Sequence, residues 1–514
     1  MKPMPDFRRI SYLAFLMTVS SCGTGNDRLM TVSADHENLR YTGRWNTNDA
    51  SAPWAGWSGS TVSVRFRGSA ISAEIDFGEE GEALRIIVDG VPEEPARHVS
   101  AGRQLVELAA ALDPAAEHTV TLMKEAYATS IMTFHGFQVT ASKITSMPPR
   151  PEMRIAFFGD SNMEGYSLYN EKNDGTNGTY FAYPATVTRM LGAEMYLQAL
   201  GSATLEGPTP NDVVSFVHSE AYDKEDTDYH DGFEPQVIVV NAGANDIFRV
   251  DPATKKQSTK QHYRNAIGTL RKAYGDQPHI VLFNAYSWGI GEPADYSHEI
   301  VDEIGGNLSL LLFPWCWEQW HGDMVDHAGQ ARYLATYIES LGLGFSIHGD
   351  MDVVDGFSGT FDVANGSFEG AARDGYGGFG WRYFADGVER IHDAESAADG
   401  EYFIRLKQDE LVHQCVDATG DMLPGPTSDS QQYTVTATVR SNGDSGTLAI
   451  GADYEEQALY LRANPEESLF EVNDQWRDYT TTLTAPDGTW KTYLVLKSIS
   501  GDIDIDNVRM TAAD

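Results

Sequence analysis

Three short stretches of the chain hold residue types that could carry out acyl transfer. The first is Phe158-Gly159-Asp160-Ser161-Asn162-Met163-Glu164-Gly165-Tyr166. It follows the apolar run Ile155-Ala156-Phe157-Phe158, so Ser161 falls on the turn at the carboxyl end of a strand, where its hydroxyl can face a cleft. Glycine lets backbone approach closely there, and N–H groups at the following helix start can hold an oxyanion. Gly-Asp-Ser alone is ordinary turn chemistry; its place behind a buried strand gives it weight. The second stretch is Asn241-Ala242-Gly243-Ala244-Asn245-Asp246, again behind an apolar run. Asn245 either offers its amide to developing negative charge or closes an Asx turn. The third is Glu318-Gln319-Trp320-His321. Histidine is the side chain that takes a proton from serine near neutral pH, and a carboxylate close by fixes its tautomer.

These stretches share one block, residues 152–345. Ile155–Phe158, Val237–Val240, Ile280–Phe283 and Leu310–Phe313 are continuous apolar runs, as parallel strands covered on both faces require. Helical patterns lie between and after them, at Tyr263–Tyr274 and His327–Leu341. The alternation predicts a three-layer α/β domain with ligands beyond the carboxyl ends of its strands. Residues 31–148 read differently: Val62, Val64 and Phe66 alternate with polar residues, as do Ile71, Ala73, Ile75 and Phe77, then Leu84, Ile86 and Val88 run into an Asp89-Gly90 turn. Short alternating strands without a helix predict a β-sandwich of jelly-roll type. After a polar connector at 346–359, residues 360–514 repeat that texture in Tyr402, Ile404 and Leu406, in Val435, Ala437 and Val439, and in Tyr493, Val495 and Leu496. A second jelly-roll sandwich is expected there.

The chain has 514 residues, enough for several cores, with 41% hydrophobic content. Seventy-five acidic against 37 basic residues give a net charge of −38, which repels nucleic-acid phosphate and anionic lipid and suits either a neutral glycan or a salty habitat. Lys2, Arg8 and Arg9 precede an apolar stretch ending at Val19-Ser20-Ser21-Cys22. Residues 1–22 therefore read as an export signal, too short to span a membrane, with Cys22 the acylated residue of a lipoprotein or else an incidental cysteine. The expected location is outside the cell, at a bacterial outer membrane or surface, or secreted. Cys316 and Cys415 fall in different blocks and support neither a disulfide framework nor a zinc site.

Taken together, the three stretches resemble the SGNH or GDSL hydrolase superfamily. Tyr41-Thr42-Gly43-Arg44-Trp45, Val64-Arg65-Phe66-Arg67-Gly68, Val88-Asp89-Gly90 and Phe134-His135-Gly136-Phe137 resemble the N-terminal β module of carbohydrate esterase family 2. The resemblance implies Ser161 as nucleophile and the N–H groups of Ser161 and Gly201 with the Asn245 amide as the oxyanion hole. It also implies a histidine base, with a second His or Tyr about six residues on in a helix. His321 and His327 have that spacing, which assigns His321 as base and His327 to the helix with Ala331, Leu334 and Ile338; the alternative makes His327 the base beside Asp323 or Asp326. Gly322 replaces the family's Pro, and Glu318 stands where an Asp is usual. Glu318 completes a triad or only walls the pocket. Trp288, Trp315, Trp317 and Trp320 crowd the approach to His321 and suit sugar faces and small acyl groups, or serve as core.

Asn365-Gly366-Ser367-Phe368-Glu369, Val412-His413-Gln414-Cys415, Trp476 and Asp504–Met510 resemble carbohydrate-binding modules of the family 4, 9 and 22 type. That resemblance implies a structural calcium on Glu369 and Asp506, which are otherwise solvated or turn carboxylates, and a glycan surface in Tyr376, Phe379, Trp381 and Tyr383, unless the sandwich is purely structural. The implied activity is a serine esterase that removes acetyl groups from a polysaccharide such as xylan or glucomannan, without a catalytic cofactor. The rivals are a surface glycan-binding protein with a decayed hydrolase core and an esterase acting on a different ester.

Overall fold

The computed structural model describes residues 28–512 other than 80, 94, 127, 169–176, 225–231, 250, 252, 286–292, 314–320, 323, 349–362, 364–365, 370–380, 384–387, 417–430, 456–461, 488 and 490. Residues 1–27 with Cys22, most of the 346–359 connector and Cys316 therefore lie outside the described residues. At the centre is a five-stranded parallel sheet: β1 (Arg154–Gly159), β2 (Glu194–Ala199), β3 (Val237–Asn241), β4 (His279–Ala285) and β5 (Leu308–Phe313), in spatial order 2-1-3-4-5. Alternate residues of one strand enter opposite cores. Ile155, Phe157, Val237, Val239, Val281 and Phe283 face one cluster, while Ala156, Phe158, Ile238, Val240, Ile280 and Leu282 face the other. Both faces are buried, which is why these strands read as continuous apolar runs.

Seven helices among the described residues flank or follow the strands: α1 (Ser161–Glu164), α2 (Tyr183–Met190), α3 (Val213–Val217), α4 (Ala244–Arg249), α5 (Lys255–Tyr274), α6 (Pro293–Ile304) and α7 (Met324–Ser340). The first face is covered by α2 and α7, the second by α3, α5 and α6. Ala331, Leu334 and Ile338 of α7 are fully buried, at the spacing the sequence pattern predicts. Strand order reverses between β2 and β3, which lie on either side of β1, so the crevice of this topology opens at the carboxyl ends of β1 and β3.

Ten strands between Arg28 and Thr145 form one continuous antiparallel sheet. The alternating segments 62–66 and 71–77, read from sequence as separate strands, belong to the single strand Thr61–Asp76. It crosses Gly68, where a Cβ would meet the Thr140 carbonyl oxygen at 2.3 Å, and the partner strand Met132–Thr145 is irregular at Thr140–Lys143. Irregularities of this kind let one strand turn a corner while keeping its ladder.

This N-terminal module is built into the central domain. Arg44, 1% exposed, donates from Nε to the Tyr196 hydroxyl at 2.8 Å and from Nη1 to the carbonyls of both Phe216 and Ser219. Trp57 is fully buried, stands edge-on to Phe216 and donates Nε1–H to the Ser219 carbonyl at 3.1 Å. Met123, Trp57 and Ala128 belong to the central domain's own clusters. The Arg85–Glu125 ion pair, 2.8 Å apart, is fully buried beneath Tyr180 and Phe181.

Beyond α7, two five-stranded antiparallel sheets face each other across a core drawn entirely from residues 363–510. Phe368 and Trp381 lie in that core, Trp381 only 1% exposed. The reading of Trp381 as a glycan-facing aromatic is thereby corrected: it fills the space between the sheets. Tyr376 and Phe379 lie outside the described residues, and Tyr383 sits in the short strand Arg382–Tyr383. In the strand Lys491–Ser500 the buried phase is Leu494, Leu496 and Ser498, so Val495 belongs to the other face, one residue off the sequence reading.

Candidate active site

Ser161 opens α1 directly after β1. Asp160 caps this turn by accepting the Asn162 N–H at 3.1 Å, and Gly165 closes it in the left-handed region at φ 80°. Gly159 is required by space, since a Cβ there would lie 2.6 Å from the Asn241 carbonyl oxygen of β3. Asp160 is 1% exposed, and that burial, reinforced by the charge of Asp246, pushes its carboxyl up to about 7.

His321 arrives from the opposite side, between β5 and α7, with Nε2 2.9 Å from Ser161 Oγ. Its ring packs on Tyr166, centroids 4.6 Å apart. Burial lowers its pKa to about 4, which keeps the imidazole neutral and able to accept a proton. His327 is fully buried in α7, stacks on Tyr183 and accepts the Tyr183 N–H at Nδ1 over 3.1 Å. Burial, then the neighbouring His321, lowers it to about 3. One histidine is thus at the serine and the other is engaged with the start of α2.

Gly201 follows β2, and its position is within reach of the serine: a Cβ there would lie 4.0 Å from Ser161 Cβ and 3.6 Å from Glu164 Oε2. Its carbonyl accepts from Asn211 Nδ2 at 3.0 Å. Its N–H donates to Glu164 Oε2 at 2.8 Å. Asn245, in the first turn of α4, donates Nδ2–H to the Ala203 carbonyl at 2.9 Å and toward Asp160 Oδ2 at 3.4 Å. Asp246 ties the floor together, accepting the Leu205 N–H at 2.9 Å and His262 Nδ1–H at 2.7 Å. The loops after β1, β2 and β3 and the segment before α7 therefore bring Ser161, Gly201, Asn245 and His321 to one crevice. Glu318, Trp288, Trp315, Trp317, Trp320 and Asp323 lie outside the described residues, and Asp326 sits in the first turn of α7.

Glu164 is the residue the sequence reading passed over. It is 1% exposed and touches the amide assigned to the oxyanion hole. The signal was present: positions three apart share a side of a helical turn, so Ser161 and Glu164 fall together.

The N-terminal residues 41–148 match the family model "Carbohydrate esterase 2 N-terminal", and residues 155–391 match "GDSL-like Lipase/Acylhydrolase". The two matches lie side by side along the chain. It is 28% identical over 332 residues to the cellulase/esterase CelE of Acetivibrio thermocellus, and 23% identical over 235 residues to the acetylxylan esterase / glucomannan deacetylase of Cellvibrio japonicus. Those alignments cover 60% and 42% of this chain but only 40% and 63% of the relatives, so it spans less than two thirds of either. Among solved structures, the family two carbohydrate esterase from Clostridium thermocellum in complex with cellohexaose superposes with a TM-score of 0.53 at 26% identity. That match covers 59% of this chain and 99% of the other. A family two esterase from Cellvibrio japonicus shares the fold at a TM-score of 0.54 and 19% identity, covering 61% and 98%.

Away from the crevice, Glu369 and Asp506 converge on one turn of the C-terminal module. Glu369 Oε1 accepts the N–H groups of Glu401 and Tyr402, and Asp506 Oδ2 those of Ala398 and Asp399. These carboxylates clamp the 398–402 turn, and burial pushes Asp506 up to about 6. Two carboxylates already serving N–H donors supply fewer oxygens than the roughly six to eight calcium takes. Among the described residues no cluster of three or more His, Cys, Asp or Glu is arranged to hold a metal.

Proposed function

We propose that the protein is a serine esterase that removes O-acetyl groups from a polysaccharide such as xylan or glucomannan. The observation that carries this is the 2.9 Å approach of His321 Nε2 to Ser161 Oγ at the carboxyl end of β1, in a domain matching the GDSL-like esterases. The substrate class rests on the carbohydrate esterase 2 match and on the acetylxylan and glucomannan relative. His321 takes the Ser161 proton as Oγ attacks the ester carbonyl. The oxyanion collects at the N–H groups of Ser161 and Gly201 and the amide of Asn245. His321 then protonates the departing sugar hydroxyl, and water resolves the acetyl-enzyme. Glu318 is proposed to orient His321, and the four tryptophans to wall the sugar; the acidic surface suits a neutral polymer.

The proposed units are an export signal at 1–22 with lipidation at Cys22, a β module at 31–148, the catalytic domain at 152–345, a connector at 346–359 and a carbohydrate-binding module at 360–514. Among the described residues no helix is long and apolar enough to cross a membrane. A calcium ion at Glu369 and Asp506 would need further oxygen ligands from beyond that pair; a fall in the C-terminal melting temperature on chelation is the outcome expected if it is there. Acetate release from acetylated xylan and glucomannan tests the main proposal. Ser161→Ala is expected to lower the rate at least about a thousandfold. Release from neither polymer by the folded wild type favours a different ester or a glycan-binding role.

A further inference from the structure

The buried carboxylate beside the oxyanion hole has no part in the mechanism above, yet it occupies one of that mechanism's donors. Glu164 Oε2 holds the Gly201 N–H at 2.8 Å, and a Cβ at Gly201 would lie 3.6 Å from that oxygen and 4.0 Å from Ser161 Cβ. An anionic acceptor binds an N–H about twice as strongly as a neutral one. An ionised Glu164 therefore keeps the Gly201 amide from the substrate and sets a negative charge beside the place where a second must develop. A protonated Glu164 sets no charge there and holds the amide more weakly, through a neutral carbonyl oxygen.

A buried amine of the other module, lowered by burial to about 8 and so charged below that pH, attracts this carboxylate. Lys124, last residue of the strand Glu117–Lys124, is fully buried, donates Nζ–H to the Ala126 carbonyl and lies 3.9 Å from Glu82 Oε2. Lys124 attracts the Glu164 charge and Glu82 repels it. The remaining charged groups nearby are Asp160 on the same turn, the Arg85–Glu125 pair next to Lys124, which is internally neutral, and His321 across Ser161. The loop carrying Gly201 contributes its amide and Asn211, both uncharged.

We propose that Glu164 is a positioning residue that gates the oxyanion hole: ionised, it withholds the Gly201 amide, and protonated, it releases it, with Lys124 of the N-terminal module setting the balance. This rests on the esterase reading of Ser161 and Gly201. Burial is the main cause that brings the Glu164 carboxyl to about 7, against the pull of the Gly201 and Ala128 amides and of Lys124, so the gate titrates near neutral pH. The sign follows. Activity rises as His321 loses its proton near pH 4 and falls as Glu164 loses its own near pH 7.

The test is the pH dependence of kcat/KM on a neutral aryl acetate, with acetate measured directly, in the full-length wild type and in Glu164→Gln. Glutamine keeps the shape and cannot ionise. The wild type is expected to lose about tenfold or more between about pH 5.5 and pH 8.5, while the ratio of the two rates stays near one in E164Q. Lys124→Met should move the wild-type alkaline limb to higher pH, because the cation holding Glu164 ionised is gone. An alkaline limb unchanged in E164Q overturns the gate, and one displaced to lower pH assigns the limb to Asp160 instead. No hydrolysis by the folded wild type at any pH sinks the esterase reading itself and leaves a different signature from either result.

Discussion

The two β modules flank the same α/β domain and relate to it in opposite ways. The N-terminal module gives Trp57, Met123 and Ala128 to the central cores and sends Arg44 into the carbonyls around α3. It also places Lys124 and the Arg85–Glu125 pair under the loop that follows Ser161. The C-terminal module closes its own core with Phe368, Trp381 and residues of its two sheets. Both modules have alternating β sequences of similar texture. What separates them is where the side chains that cannot face water go, into a neighbour in one case and into the module itself in the other. The first is built into the cores of the α/β domain; the second keeps its core to itself.

Deletion should expose this asymmetry most visibly. Loss of residues 28–148 is expected to abolish the folded α/β domain, since it opens both cores and leaves buried carbonyls without donors. Loss of 360–514 should leave the catalytic melting transition within about 2 °C of its original midpoint by calorimetry. Equal damage from both deletions would contradict the distinction. A sharper probe is the buried pair. Arg85→Met alone should destabilise by about 3–5 kcal/mol in urea, whereas Arg85→Met with Glu125→Met should recover most of the loss, because a lone buried charge costs more than none. Failure of the second change to rescue would mean that the pair acts through another contact. In the other module, Trp381→Ala should cost about 3–5 kcal/mol in the C-terminal transition. It should leave the hydrolysis of a small acetyl ester as it was, so any matching loss of activity would couple the two bodies.

Much of this was legible from sequence, for physical reasons that also mark where legibility ends. The strands β1, β3, β4 and β5 announce themselves because burial on both faces demands unbroken apolar runs. Edge strand β2 does not, since Glu194 and Gln198 interrupt it, and so Gly201 was found only through resemblance. Alternation identified the residues of the strand Thr61–Asp76 but not its continuity, as Gly68 reads as a break when it is a bend. Trp381 among glycines looks like a loop aromatic, and only the packing of two sheets shows it to be core. Ser161 and His321 were legible as types behind strand ends, while Glu164 was not singled out. Its importance depends on Gly201 and Lys124, which lie far from it in sequence and meet it only in the fold.

The pairing of Ser161 with His321 is tested most directly by covalent trapping. A serine-directed organophosphonate is applied to the wild type, His321→Ala and His327→Ala, with the labelled peptide identified by mass spectrometry and folding checked for each. Label is expected on Ser161 in the wild type, at a rate at least about a hundredfold lower in H321A, and retained in folded H327A. Label on another residue, or wild-type labelling in H321A with loss in H327A, would contradict that pairing.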